Sequence, residues 1–286
     1  MPIDVDRIVG ATLEETTFSW SEEDVILYNL GVGAGVPPDD PRQLEYAYEA
    51  ELKAVPAFGT IPPFAMVMGV GAIEGLDIQL SQILHGDQRL QIHSPIPVRG
   101  SVKQTGRIVD VLDKGRGALL VIEVVSTLEG SDTPLFTNTS GVYVRGEGGF
   151  GGDRGASAPK GPPDRAPDHV VESPTLPQQA LLYRMASGDK NPLHADPAFA
   201  AVAGFGRPIL HGLCTYGVVT LAVIEAALGG EAEQVGSISA RFSGHVFPGE
   251  TLVSQIWETD EAIMVETTTR EREQTVLSHG LVATRD

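Results

Sequence analysis

The alternation of apolar and polar positions along the chain changes period several times, and each change marks an element. Four stretches in the first half, 89–96, 101–112, 118–128 and 135–145, are rich in Val, Ile and Thr and bounded by turn residues, which predicts strands. Four more follow at 235–246, 251–258, 262–270 and 275–284. Between the two sets runs Leu213 to Leu228, apolar apart from a few small or hydroxyl residues and Glu225. It is too short for a comfortable membrane span and predicts a buried helix over 212–228. Ser21 ahead of Glu22-Glu23-Asp24 predicts a capped helix start continuing through Val25 to Tyr28. A helix over 178–184 and a short apolar one over 65–73 complete the helical elements. Asp4 to Val9 and Phe18 to Trp20 supply apolar positions for an entry strand, Gly31 to Pro38 reads as a loop, and Glu45 to Phe58 follows no single period.

The same order of elements occurs twice. At a constant offset of 155 residues, Val25–Ala34 lies over Ala180–Asp189, with Tyr28 on Tyr183 and Gly33 on Gly188. Ile92–Gly100 resembles Phe242–Gly249 within one residue. The shared order points to an internal duplication. It also exposes an asymmetry, because Ala34 stands in the place of Asp189 and Asp39 in the place of His194.

Residues 146–169 are dense in Gly, Pro and charge, cannot bury a core and are expected to form a flexible linker. Gly146 to Gly151 matches GxGxxG after a strand, but no helix-forming sequence follows to receive a pyrophosphate. The expected organisation is a first half over 1–145, a linker over 146–172 and a second half over 173–286.

At 286 residues, 42% hydrophobic and 20% charged, the chain is able to build a sizeable core. Its net charge of −18 argues against nucleic acid and anionic membranes as partners. The single cysteine, Cys214, excludes a disulfide framework and a cysteine zinc site. The acidic start MPIDVDRIVG does not resemble a signal peptide and Ala-Thr-Arg-Asp is not a peroxisomal address, so a cytoplasmic protein is expected.

The densest polar cluster is Ser187-Gly-Asp-Lys-Asn-Pro-Leu-His194, set between apolar helical flanks. The Asn191-Pro192 turn is able to fold Asp189 and His194 toward one point, where a carboxylate beside an imidazole would hold a water and exchange its protons. The same residues also suit plain caps of a turn and of the helix at Asp196-Pro197. Gly212, at the start of the long helix, would offer a backbone N–H to a developing oxyanion, or simply make a tight turn. No His/Asp/Glu spacing looks like a metal site, His85 is expected to be structural or at the surface, and Ser187 lacks the GxSxG elbow of a serine hydrolase.

Tyr183 to His194, followed by Ala-Asp-Pro, resembles the hydratase-2 motif of MaoC-like (R)-specific enoyl-CoA hydratases, and Phe205 to Cys214 resembles the segment after it. Tyr28 to Ala34 and Leu84 to Gln88 resemble the N-terminal half of the two-domain members; Asp87 stands where a Glu is common. The resemblance implies an α+β double hot-dog fold, in which each half wraps a sheet around a long central helix. It implies hydration of trans-2-enoyl-CoA to (3R)-3-hydroxyacyl-CoA, with no metal or redox cofactor. By position, Asp189 and His194 would be the catalytic pair, Asn191 would orient the site and the Gly212 amide would bind the thioester oxygen. His211 is expected at the same substrate-binding end, while Ile61, Phe64, Met66 and Met68 are expected to line an acyl tunnel in the first half. An acyl-carrier-protein dehydratase, a non-catalytic acyl-CoA-binding subunit and a hot-dog thioesterase are the alternatives. A homodimer is compatible with this picture.

Overall fold

The computed structural model describes residues 3–76, 78, 82–156 and 161–285. Ten strands run in chain order as β1 (Thr16–Trp20), β2 (Ile83–Ile92), β3 (Gly100–Asp113), β4 (Gly117–Leu128), β5 (Pro134–Arg145), β6 (His169–Pro174), β7 (Val235–Phe242), β8 (Thr251–Glu258), β9 (Ile263–Thr269) and β10 (Thr275–Thr284). They make one antiparallel sheet of order β1-β3-β4-β5-β2-β7-β10-β9-β8-β6. Read outward from the central β2–β7 pair, the two wings have the same order, so each first-half strand has its counterpart in the second half. The duplication read from sequence is therefore a pseudo-two-fold of one continuous sheet.

The helices are α1 (Val5–Ile8), α2 (Glu22–Gly31), α3 (Pro41–Leu44), α4 (Phe64–Met68), α5 (Gln179–Ser187), α6 (Pro197–Val202) and α7 (Gly212–Ala227). Helix α2 starts on a capping box, with Ser21 and Asp24 each bonding the other's backbone N–H. Helix α7 is the central helix of the second half, and every residue from Leu213 to Ile224 is buried. Each large apolar side chain buried there contributes about 1.5–3 kcal/mol. Gly217 lets α2 approach closely, since a Cβ on it would lie 2.5 Å from Val32 Cγ1. In the first half the corresponding place holds only the short α4 and a 3-10 turn, Gly69–Ala72.

The matched Tyr28 and Tyr183 sit on α2 and α5, which pack together with ring centroids 6.0 Å apart. Both helices leave through a left-handed glycine, Gly33 at φ +93° and Gly188 at φ +71°. The helix-and-corner frame is thus present in both halves.

Three expectations are corrected. Asp4 to Val9 is not strand: the Asp4 side chain accepts from Arg7 N and caps the helical turn α1, leaving only Thr16–Trp20 as entry strand. Strand β6 begins at His169, inside the stretch expected to be linker, and pairs along β8 at the sheet edge. The start of that stretch is also pinned, because Asp113 accepts hydrogen bonds from Gly149 N at 2.8 Å and Gly151 N at 2.7 Å. These amide N–H groups hold the Asp113 carboxyl below its usual range. The glycine-rich run does cradle an anion, but one belonging to the protein. Among the described residues, no helix is long and apolar enough to cross a membrane.

Candidate active site

The site begins where α5 ends. Gly188 turns the chain in the left-handed region, which side chains with a Cβ resist. Asp189 Oδ1 then accepts from Asn191 N at 2.9 Å, and Asn191 Oδ1 accepts from Leu193 N at 3.0 Å. These two local turns fold the 3-10 segment Pro192–His194 back, so that Asp189 Oδ2 faces His194 Nε2 at 4.0 Å. The turn-capping bond expected of Asp189 uses one oxygen only and leaves the other facing His194. His194 caps no helix; Asp196 does, accepting from Ala198 N at 2.8 Å.

His194 Nδ1 donates to the Ile209 carbonyl at 2.9 Å. A carbonyl only accepts, so in the neutral ring Nε2 carries the lone pair. Burial lowers the His194 pKa, and the Asp189 charge pulls it partly back. The result is a neutral imidazole base facing a carboxylate.

His211 does not line the cleft where substrate binding was expected of it. It is the residue before α7, only 2% exposed, stacked on His194 at 3.8 Å between ring centroids and against Tyr183 at 5.0 Å. Its Nε2 is 3.9 Å from Asp189 Oδ2. Burial, then the neighbouring His194, push its pKa well down. Asp189, His194 and His211 bring one donor atom each within 4.8 Å of one another, a three-donor cluster that the linear spacing did not reveal.

Gly212, the first residue of α7, lines the cleft beside the pair, and a Cβ on it would touch the Phe242 ring at 3.3 Å. The first N–H groups of a helix lack internal acceptors and carry positive partial charge, so they suit a developing oxyanion. The cleft encloses about 410 Å³ and is lined by Asp189, Asn191, His194 and Phe242 from the second half and by Phe64, Met68 and His85 from the first. A narrow extension past Phe64, Met68 and Leu213 reaches Asn138 and Ser140. Ile61 and Met66 do not line it: Ile61 is in the main core, and Met66 packs over Gly106, where a Cβ would meet its Sδ at 2.5 Å.

His85 is a cleft residue that the sequence reading missed. A bulge between His85 and Asp87 in the β2–β5 ladder leaves Gly86 as the extra residue and re-aims this part of the strand. His85 Nε2 bonds Gln88 Oε1 at 3.0 Å, and its ring stands edge-on to Phe242. Gln88 Oε1 also accepts from Ser140 Oγ at 2.8 Å, and Gln88 Nε2 donates to Asn138 Oδ1 at 2.7 Å. Burial pushes the His85 pKa down to about 4, so its ring is neutral at working pH.

A carboxylate and an imidazole beside a helix start, in one cleft that apolar side chains also line, suit acid–base chemistry on an activated carbonyl compound. The comparisons agree with this class. Residues 18–146 match the family model of the MFE-2 hydratase 2 N-terminal domain, and residues 158–279 match that of the MaoC-like domain. An enoyl-CoA hydratase of Mycobacterium tuberculosis, ChsH3, is 43% identical over 287 residues, covering 98% of each chain. A 3-hydroxyacyl-thioester dehydratase of the same organism is 40% identical, covering 91% of this chain and 89% of its own. The full-length peroxisomal multifunctional enzyme type 2 of Drosophila melanogaster superposes with a TM-score of 0.84 at 34% identity, over 96% of this chain and 48% of that one. The chain belongs to the MaoC-like hydratase-2 family and has its double hot-dog fold.

Proposed function

We propose that the protein is a hydro-lyase that adds water reversibly across the double bond of trans-2-enoyl-CoA in fatty-acid or related acyl-CoA metabolism, giving the (3R)-3-hydroxyacyl-CoA. The observation that carries this is the shared cleft of Asp189, His194 and Gly212. Water between Asp189 and His194 gives one proton to His194 Nε2 as its oxygen bonds to C3 of the substrate. The electron pair of the double bond moves onto the thioester carbonyl, whose oxygen is met by the Gly212 N–H. C2 then takes the proton from His194 on the same face, which restores the neutral ring. No electrons leave the substrate, so the chemistry requires no redox cofactor, and the pair itself supplies the proton transfer.

The apolar first-half wall, with Phe64 and Met68, suits the acyl chain. The first half lacks an acid–base pair at the matching corner, where Ala34 is buried, and so serves the pocket instead of the reaction. The relative named as a 3-hydroxyacyl-thioester dehydratase favours a second reading, the same chemistry run toward dehydration on a CoA or carrier-protein thioester. A cytoplasmic homodimer also belongs to the proposal: the single cysteine suits a reducing compartment, and Leu181 and Met185 leave an exposed apolar strip on α5 for a second copy. The deciding assay follows loss of enoyl absorbance over a series of enoyl-CoA and enoyl-carrier lengths, with chiral analysis of the product. Release of free thiol without hydration, or an (S) product, would overturn the assignment.

A further inference from the structure

Both ring nitrogens of His211 are buried without a hydrogen-bond partner among the described residues. Buried polar groups are rarely left so, and an unexplained one points to a missing partner. We propose that His211 is a third holder of the reacting water, donating its Nε2–H to the water oxygen. The assignment rests on the hydratase reading above.

The distances admit this. Asp189 Oδ2 lies 4.0 Å from His194 Nε2 and 3.9 Å from His211 Nε2, with all three donor atoms inside 4.8 Å. One oxygen reaches all three at about 2.8 Å, an ordinary hydrogen-bond length. A zinc ion, with bonds of about 2.0–2.2 Å, would span these pairs only at ligand angles well above the tetrahedral value it prefers, so the spacing suits a water better.

The count of hydrogens then fixes the role. A water has two hydrogens and two lone pairs. Asp189 Oδ2 only accepts, and His194 Nε2 only accepts because its Nδ1–H is committed to Ile209. Both hydrogens are thereby taken. The group facing the oxygen from the third side must donate, which places the His211 proton on Nε2. One lone pair remains, and it is free to point toward C3 of the substrate. His211 must stay neutral for this, since an imidazolium would draw density from the nucleophile. Its setting keeps it so: burial opposes a positive charge on it first, then the stacked His194 and Arg184, and only the backbone of Asp189 favours one.

Two experiments test the assignment. In protein labelled with ¹⁵N-histidine and free of substrate, the His211 ring is expected to stay neutral with its proton on Nε2 from about pH 5 to 8. Titration within that range, or a proton on Nδ1, overturns the proposal. The second compares His211→Gln, which keeps an N–H at similar reach, with His211→Phe, which keeps only the stacked ring. His211→Phe is expected to lose about 100-fold in kcat with KM changed less than about threefold, while His211→Gln stays within about tenfold of the parent. Equal losses in the two variants, or none in His211→Phe, overturn it. Stoichiometric zinc binding by the parent that disappears in His211→Gln also overturns it. Should His211→Phe fail to fold, the ¹⁵N spectra and His211→Gln still decide. A parent protein inactive on every enoyl thioester would defeat the hydratase reading, whereas the tautomer of His211 would still be read from the spectra.

Discussion

Asp189 and His194 face each other at 4.0 Å through atoms that take no part in holding either residue in place. Asp189 is fixed through Oδ1 and His194 through Nδ1, which leaves Oδ2 and Nε2 facing each other. Asp189→Asn retains an oxygen to accept from Asn191 N, so the corner should survive while the charge is lost. Asp189→Asn and His194→Gln are each expected to lower kcat by about 10³-fold or more with thermal unfolding shifted by only a few degrees. Enoyl hydration and calorimetry on the same samples check both statements.

The oxyanion role of Gly212 is tested by removing its N–H, with Gly212→Ala as the control for the contact that any Cβ there makes with Phe242 at 3.3 Å. Proline is well accommodated at the first position of a helix and lacks the N–H. The preceding His211, at φ −61° and ψ 136°, is already in the extended conformation that a following proline demands. Gly212→Pro is therefore expected to fold with α7 intact and to lose about 10²–10³-fold in kcat. Unchanged kcat with normal circular dichroism would remove Gly212 from the mechanism.

The placement of Met68 beside the narrow extension predicts a chain-length effect. Met68→Trp is expected to leave turnover of a four-carbon enoyl-CoA within about threefold and to depress that of long-chain substrates by at least about tenfold, chiefly through KM. A uniform loss across lengths would mean that the acyl chain takes another route.

The buried histidines predict how stability responds to acid. His85 has a pKa of about 4 when folded against an ordinary 6.5, so between those values the unfolded chain binds the extra proton. Its contribution is complete above 6.5 and declines as pH falls toward 4. From this residue alone the loss is about 2 kcal/mol by about pH 5. His194 and His211 shift in the same direction. Denaturation midpoints should therefore fall on acidification from neutral pH, and His85→Gln, which keeps a donor for Gln88, should flatten that slope.

How much of this was legible depended on how local the cause was. Seven of the eight long strands and α7 announced themselves because burial on one face, or all round, writes itself into side-chain periodicity; β2, expected at 89–96, spans Ile83–Ile92, its bulged first half breaking the period. The corner at Gly188 and the Asp189/His194 pair lie within one turn, and comparison of the halves isolated them. Strand β6 was missed because it is an edge strand beside a Gly/Pro-rich run, with half of its side chains exposed. Of the four residues expected to line a tunnel, two line the cleft for a geometric reason: Phe64 and Met68 are four apart and share a helix face, whereas Met66 points to the other. The placement of His85 and His211 was not legible because it is set by neighbours distant in sequence, Ser140 behind the first through Gln88, and Asp189 beside the second.

The β2–β7 ladder, running from Asp87↔Arg241 to Gln91↔Ser237, passes directly behind the cleft, next to His85 and Phe242. Ladder hydrogen bonds do not stretch, and breaking them would leave two bare strand edges. The two lobes therefore cannot part like jaws to admit a substrate or free a product. Entry and exit are left to side-chain rotations and loop shifts at the mouth, small gates on a rigid frame.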